Sequence, residues 1–371
     1  MDAPDLKRMY RTQTRGDFPA TFELFGRAYE KVEDLRYGTN PHQPAAFYRP
    51  TGGNLVLGRY EILKTGKSGL SQTNLEDMQH AVGILKYLDR PACAVMKHCN
   101  PSGVAMQRNE MSLADVYCRA RDADAQAAFG SVVVFNREVE RDTAEAIMES
   151  VVESVAAPSY AEDALAVLHD AAAYKRNKEI RILRLPGFEA LPKYIGDGTG
   201  TLELKVFDDG SLVVAEPYLS RIRSVEDLTP ARTEHARHGA IAIERAPDDR
   251  ERADLLFAWY VNIHVRSNGV VIVRNGQTIA VGTGEQDRVG AVQQAIQKAR
   301  EKYNGDEALE GAVLASDGFF PFRDSIDAAC EAGIRAFAQP GGSVSDYGVI
   351  EACNERGASM VFTGERCFSH H

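Results

Sequence analysis

Apolar residues along this chain switch repeatedly between helical spacing and short β-branched runs, which is the pattern of an α/β protein. A helix over residues 70–88, for example, is followed after Pro91 by an apolar run at 93–96 that predicts a buried strand. In this first part, helices are predicted over residues 22–29, 70–88, 113–121 and 143–155, and strands over 93–96 and 131–135.

The pattern changes between residues 187 and 247 to shorter strand-like pieces, at 202–206 and 212–214, broken by Asp-Gly pairs that favour turns. This stretch is predicted to connect two larger units. Beyond it, helices are predicted over 248–264, 289–302 and 325–332, and strands over 269–274, 278–282, 312–315 and 336–339. Two similar halves fit this alternation, although no clear sequence repeat accompanies them. The predicted organisation is a lead-in at 1–34, a first subdomain at 35–186, a connecting region at 187–247 and a second subdomain at 248–371.

Composition narrows the class of protein. The 371 residues are 44% hydrophobic and 26% charged, as in a globular protein of two packed units or one large α/β domain. The net charge of -10 argues against nucleic-acid binding by the whole surface, so any anion site must be local. We find no signal-peptide core and no stretch of roughly 20 apolar residues, so we expect a cytoplasmic protein that does not span a membrane.

The cysteines argue against both a metal cage and a disulfide framework. Six of them are scattered through the chain and none forms a Cys-x-x-Cys pair, which fits reduced thiols. Cys99 lies beside a lysine and a histidine, but nothing else in the sequence supports a nucleophile there, and packing is the expected role.

The most informative segment for chemistry is KHCNPSGVA at residues 97–105, directly after a predicted buried strand. In open α/β sheets ligand sites commonly follow such strands. A histidine side chain can accept and donate a proton in catalysis, while the adjacent ammonium of Lys97 can stabilise developing negative charge. Taken without context, a satisfied histidine and a solvated lysine are the more common interpretation.

Other segments are weaker when taken singly. RYGTNPHQ at 36–43 places a cation and a phenol in a loop that suits phosphate, and the C-terminal TGERCFSHH at 363–371 offers another arginine. ASDGFFPFRD at 315–324 can clasp a flat ring or plug the core, and PGGS at 340–343 by itself indicates only a turn. A surface turn remains the alternative for each loop.

Taken together in this order, these segments resemble the AICAR transformylase half of the bifunctional purine-synthesis enzymes that also carry IMP cyclohydrolase. The resemblance runs from Leu35 to His371. It rests on these motifs: RYGxNPHQ from residue 36, KHxNPxG from 97, AFG at 128–130, AP at 157–158, SN at 267–268, SDxFFPFRD from 316 and RxFxH from 366.

The resemblance implies a cytidine-deaminase-like fold used twice, as two three-layer α/β/α subdomains with a connecting region. It implies formyl transfer from 10-formyltetrahydrofolate to the 5-amino group of AICAR, a homodimer with active sites built across its interface, and room for a structural potassium ion. No catalytic metal is implied, since the His-x-Glu and Pro-Cys-x-x-Cys motifs of the zinc deaminases are absent from the sequence.

Motif by motif, the resemblance also assigns residues. Lys97 and His98 become the catalytic pair, with His98 accepting a proton and Lys97 steadying the transition state, and Asn268 assists at the reacting centre. The implied nucleotide contacts are Arg36, Tyr37, Asn74, Glu153, Arg176 (or Lys175), Phe319 and Arg366. The implied folate contacts are Phe129, Gly130, Arg288, Pro321, Phe322, Asp324, Gly341 and Gly342.

The chain also departs from the family pattern. Only a short lead-in precedes the Arg36 loop, so we expect no ring closure by this chain and a separate cyclohydrolase to draw the product forward. Ile263 replaces a usual lysine, and EQDR at 285–288 makes the donor side more acidic. Further departures are Gln72, Thr73, Ala127 and Ser131. Two alternatives therefore stay open: another formyl carrier, or a non-catalytic purine-nucleotide-binding regulator.

Overall fold

The computed structural model describes residues 12–198, 200–303 and 305–370; the start of the predicted lead-in, residues 1–11, lies outside them. The strands are β1 Thr21–Leu24, β2 Arg27–Asp34, β3 Ala46–Pro50, β4 Glu61–Lys64, β5 Ala92–Lys97, β6 Asn100–Met106, β7 Ser131–Phe135, β8 Val152–Ala157, β9 Arg181–Arg184, β10 Glu203–Val206, β11 Leu212–Ala215, β12 Thr229–Pro230, β13 Arg232–His235, β14 Gly239–Ala242, β15 Val270–Arg274, β16 Gln277–Gly282, β17 Val313–Ser316, β18 Ala336–Gln339 and β19 Ser359–Phe362. The helices are α1 Gln72–Leu85, α2 Leu113–Asp122, α3 Arg141–Glu149, α4 Glu162–His169, α5 Asp249–Asn262, α6 Arg288–Lys302, α7 Asp306–Leu309, α8 Asp324–Glu331 and α9 Asp346–Glu355.

One mixed 12-stranded sheet organises the chain, in the order β12-β19-β18-β17-β15-β16-β6-β5-β7-β8-β9-β4. Outward from the central β16–β6 pair, the two halves repeat the same pattern. In each half a hairpin is followed by an antiparallel neighbour, two parallel strands and an antiparallel edge strand. The α/β class predicted from the sequence is confirmed. The two halves are similar in the order and direction of their strands.

Helices cover both faces of this sheet. On one face α1 packs on strands of the first half and α5 on strands of the second, and their apolar residues belong to a single core that includes Met78 and Trp259, both fully buried. On the other face the remaining longer helices form two separate cores, one for each half. The shared core explains why the halves form one continuous sheet, because the strands between them bury apolar side chains on both faces.

Two predicted elements were wrong. The stretch at 22–29 is a β-hairpin and not a helix: Phe25 and Gly26 have φ of 50° and 72°, the conformation of a two-residue hairpin turn, and Phe22 stacks on Tyr29 across the strands. The helix predicted over 143–155 ends at Glu149, and its β-branched end forms β8 instead. None of the helices among the described residues has the length and apolar character needed to cross a bilayer.

Candidate active site

Most of the predicted site residues lie at the same end of the strands of the central sheet. The antiparallel pairs at the centre place the end of β5, the start of β15 and the ends of β17, β18 and β19 together. Strands β7, β8 and β9 of the first half begin at this end as well. Segments that are more than 250 residues apart in the chain are thereby gathered along one line of strand ends.

Lys97 and His98 lie where β5 turns into β6. His98 and Cys99 have φ of 55° and 62°, a left-handed pair that makes the tight turn between antiparallel strands. The Asp77 carboxylate, from α1, accepts a hydrogen bond from the Cys99 amide at 2.6 Å and also faces the His98 amide. Burial raises the pKa of Asp77 to about 6, although these amide donors oppose the shift. The turn that carries the predicted catalytic pair is therefore held from beneath by a buried carboxyl group.

Around this turn, Lys97 and His98 face a cavity lined by further polar side chains. Lys97 Nζ donates to the Phe129 carbonyl oxygen, which fixes the ammonium beside the loop that precedes β7. Lys97 and His98 line a cavity of about 230 Å³ together with Asp124, Thr283 and other residues. An ammonium and an imidazole at one cavity supply a cation and a proton acceptor, while the Asp124 carboxylate is paired with Lys302 at 3.3 Å.

A cationic cluster lies beside the predicted phosphate loop. The Arg36 guanidinium is 5% exposed, lies over the Tyr37 ring at 4.4 Å and donates to the Tyr37 hydroxyl at 2.8 Å. Its buried Nε has no hydrogen-bond partner among the described residues. Arg181, also buried, bonds to the Gly69 carbonyl at 2.6 Å, and burial together with the nearby Arg36 lowers its pKa to about 10. Two buried guanidinium groups that repel each other form a site that favours an anion.

Asn74 and Glu153, both predicted to hold the nucleotide, are in direct contact. Asn74 Nδ2 donates to Glu153 Oε2 at 3.1 Å, while Asn74 also closes the capping box of α1 with Ser71. Glu153 is 3.8 Å from Arg181, which joins this pair to the cationic cluster. The structure therefore brings together four of the predicted nucleotide contacts in the first half of the sheet.

Six further predicted residues surround a second cavity, of about 590 Å³, in the other half of the sheet. They are Asn268, Arg288, Phe319, Pro321, Gly341 and Arg366. Arg366 lies over the Phe368 ring at 4.8 Å, so the C-terminal segment is held at the cavity. The two halves meet at Asn100, whose Oδ1 accepts from the Arg266 amide at 3.0 Å and from the Thr283 hydroxyl at 2.8 Å.

Arg288 is less available to a ligand than the sequence suggested. Its guanidinium forms a buried ion pair with Asp317 and donates to Asn268 Oδ1 at 2.7 Å. Asp317 is fully buried and also accepts from the Gly269 amide at 2.8 Å. Arg288 thus orients Asn268 and neutralises a buried carboxylate.

Several predicted residues lie apart from the two cavities. Phe129 and Phe322 are 62% and 65% exposed, and neither lines the Asn268 cavity. Asp324 begins α8, and the Gly342 amide donates to Asp346 at 2.7 Å. Arg176 is exposed in a 3₁₀ turn before β9, and Gly130 follows Phe129 with φ of 71°.

Sequence reasoning missed two residues, Asp77 and Arg181. Each is a charged side chain inside a regular element, where the apolar pattern draws attention away from it. The available signal was position: Asp77 lies three residues after Asn74 in a helix, so both face nearly the same side. Arg181 is a charge at the start of a short apolar strand, and it is 3% exposed.

Comparison with known proteins gives a consistent family. The AICARFT/IMPCHase bienzyme family matches residues 6–298. The bifunctional purine biosynthesis protein PurH of Acetivibrio thermocellus is 40% identical over 355 residues, which is 95% of this chain and 62% of that protein. The PurH proteins of Persephonella marina and Oceanobacillus iheyensis are 38% and 37% identical, over 94% and 98% of this chain and 61% and 64% of their own lengths. The chain thus spans about three fifths of the length of these relatives.

Proposed function

This chain belongs to the AICARFT/IMPCHase bienzyme family, and on that premise we propose that it transfers a formyl group from 10-formyltetrahydrofolate to the 5-amino group of AICAR. The products are FAICAR and tetrahydrofolate. The observation that carries the proposal is the β5–β6 turn, which presents an ammonium and an imidazole at one cavity, at the sheet end where the nucleotide cluster also lies.

In the proposed reaction the amine nitrogen attacks the formyl carbon, and the bond from that carbon to N10 of the donor then breaks. The amine is conjugated with the ring and is a weak nucleophile, so positioning and a base are both needed. His98 accepts the proton that the amine loses and returns it to the departing N10. Lys97 and Asn268 stabilise the negative oxygen of the tetrahedral intermediate.

We assign the substrate's phosphate to the Arg36–Arg181 cluster. The Arg36 Nε, buried and without a partner in the described part of the chain, supports this assignment because a phosphate oxygen would satisfy it. Tyr37, Asn74 and Glu153 surround the cluster and offer polar contacts to the ribose and base.

A homodimer with shared active sites is the second part of the proposal. Arg366 and Phe319 line the cavity in the second half, away from the Arg36 cluster. One nucleotide contacts both groups of residues when the Arg36 cluster comes from one chain and Arg366 and Phe319 come from its partner. The β10–β11 hairpin supports association, because Val206 and Val213 on it are 67% and 48% exposed and the hairpin pairs with no other strand of the described chain. A separate cyclohydrolase that consumes the product remains part of the proposal.

The identity of the formyl donor rests on the family, and the departures bear on it. Ile263 is buried in the core that covers both halves, which removes a charge from this region. Asp287 accepts from the Gly290 amide at 2.6 Å, and Glu285 accepts from Gln294 at 2.7 Å. Both acids have partners within their own segment, and this supports retention of a folate donor; a different carrier is the alternative.

Three finer points also belong to this proposal. The repeated strand order supports two cytidine-deaminase-like subdomains at 35–186 and 248–371, joined by 187–247. We also propose a structural potassium ion, which the family resemblance implies; the buried Asn262 Oδ1, an acceptor without a donor among the described residues, supports it as an oxygen ligand. We also propose a cytoplasmic location for the protein.

The experiment is formyl transfer by the purified chain with AICAR and 10-formyltetrahydrofolate, coupled to an added cyclohydrolase that removes the product. We expect turnover, and a loss of about 10²–10⁴ in kcat for Lys97→Ala and for His98→Ala with AICAR binding retained. AICAR binding without turnover under any formyl donor would favour the non-catalytic regulator. Near-normal turnover in both variants would refute the assigned roles.

A further inference from the structure

The two central hairpins of the sheet turn in the same way. In the β5–β6 turn His98 and Cys99 have φ of 55° and 62°, and in the β15–β16 turn Asn275 and Gly276 have φ of 54° and 68°. Each turn thus places two consecutive residues in the left-handed region, as type I′ turns require. The repeat of the strand order extends to the conformation of the turns.

Both turns are also held by a carboxylate from the same place in the preceding helix. Asp77 is the sixth residue of α1 and Asp254 the sixth of α5. Asp254 accepts from the Asn275 amide at 2.7 Å and from the Gly276 amide at 2.8 Å. Asp77 accepts from the Cys99 amide at 2.6 Å and faces the His98 amide. We call this arrangement the carboxylate clamp.

The two turns differ in how much backbone strain the carboxylate clamp has to oppose. Asn-Gly adopts a type I′ turn readily, because glycine has no Cβ and asparagine tolerates positive φ. In the β5–β6 turn the second position is Cys99, whose Cβ makes positive φ unfavourable, whereas His98 at the first position tolerates it much as asparagine does. The clamp in the first half therefore opposes strain that is largely absent from the second.

The charged groups around the two carboxylates also differ. Asp254 is neutralised by Arg108 at 2.7 Å and Arg250 at 3.3 Å. Within the described part of the chain, the charged groups that act most on Asp77 are acidic, Glu76 and Glu153, and the Cys99 thiol lies close by. A buried carboxylate without a neighbouring cation lowers stability, so its presence beneath the turn calls for a role other than stabilising the fold.

We propose that Asp77 is a positioning residue for the formyl transfer: by holding the amides of His98 and Cys99 it fixes Lys97 and His98 in the geometry in which they act. This inference rests on the proposed function for its catalytic consequence. The clamp itself does not, because it can be measured in the free protein.

The test compares Asp77→Asn with Asp254→Asn, which breaks the matching clamp away from the reacting groups. An asparagine can accept only one of the two amide hydrogen bonds, since its NH₂ group repels the other donor. We expect Asp77→Asn to lower kcat by roughly 10- to 100-fold with the KM for AICAR changed by less than about threefold. Asp254→Asn should keep the wild-type kcat even if it unfolds at lower temperature.

A rescue variant separates positioning from other roles. Replacing Cys99 by glycine copies the turn of the second half, so Asp77→Asn combined with Cys99→Gly should recover most of the lost kcat, and Cys99→Gly alone should remain active. Loss of kcat that glycine does not restore, with a shifted pH profile, would mean that Asp77 acts through its charge and would overturn the inference. Full activity of Asp77→Asn would overturn it as well.

Hydrogen–deuterium exchange of the peptide that spans the turn distinguishes the two failures. We expect slow exchange in the wild type, fast exchange in Asp77→Asn and partial recovery in the double variant. A wild type without formyl transfer but with this exchange pattern would refute the proposed function and leave the clamp standing. An active wild type whose turn exchanges equally in all variants would refute the clamp alone.

Discussion

Replacing Arg288 by alanine is expected to destabilise the protein far more than removal of an ordinary surface arginine. Its guanidinium pairs with Asp317, which is fully buried, and also donates to Asn268 and to the Gly269 carbonyl. Without Arg288 the Asp317 carboxylate keeps the Gly269 amide as a donor and loses its counter-charge. Breaking one partner of such a buried pair costs about 3–5 kcal/mol.

The measurement is the free energy of unfolding in urea, with Arg141→Ala as the matched control. Arg141 pairs with Glu145 on the surface of α3, and both side chains are largely exposed. Its loss should cost less than about 0.5 kcal/mol. Arg288→Ala combined with Asp317→Asn should be less destabilised than Arg288→Ala alone, because the second change removes the unpaired charge.

Arg288→Lys separates charge from geometry. The lysine ammonium restores a positive charge beside Asp317, but it lacks the planar fork that also reaches Asn268. We expect stability to recover in part while kcat stays low, since Asn268 is no longer oriented. A cost below about 1 kcal/mol for Arg288→Ala would refute the reasoning, because the pair would then behave as a surface contact.

The remaining predictions each concern one or two residues. Gly103→Ala should destabilise the protein by at least about 2 kcal/mol, because the new Cβ would lie 2.0 Å from the Ala120 carbonyl oxygen. Gly348→Ala, in open space within α9, should instead stabilise the protein by about 0.5–1 kcal/mol in the same urea assay. Arg366→Ala should weaken AICAR binding roughly 10- to 100-fold by calorimetry, and unchanged affinity would refute its role as a nucleotide contact. Burial raises the pKa of Asp77 from 3.8 to about 6, so its favourable contribution to the free energy of unfolding is complete below about pH 4 and is lost as pH rises through 6. Relative to Asp77→Asn, the wild type should lose on the order of 3 kcal/mol of stability between pH 4 and 7. Parallel curves of stability against pH for the two proteins would contradict this shift.

The elements of the chain were largely readable from its sequence, because apolar spacing directly reports which face of an element is buried. The strands Ser131–Phe135 and Ala336–Gln339 were predicted to the residue. The hairpin at 22–29 was mistaken for a helix because a short amphipathic stretch fits both periods until its turn is known. Phenylalanine is not a residue type that indicates a left-handed turn, so Phe25 did not reveal the turn.

The sequence alone determined the α/β class and, through the ordered motifs, which short segments carry the chemistry, since motif and periodicity are local properties. Only the tertiary structure decided how those segments meet. Asp77 lies 22 residues from the Cys99 amide it holds, and Arg108 lies 146 residues from Asp254. The partner of a buried charge is chosen by the packing of distant elements, which no local pattern records. The pairing of the two halves into one sheet, and the gathering of the site at one end of its strands, follow from that packing.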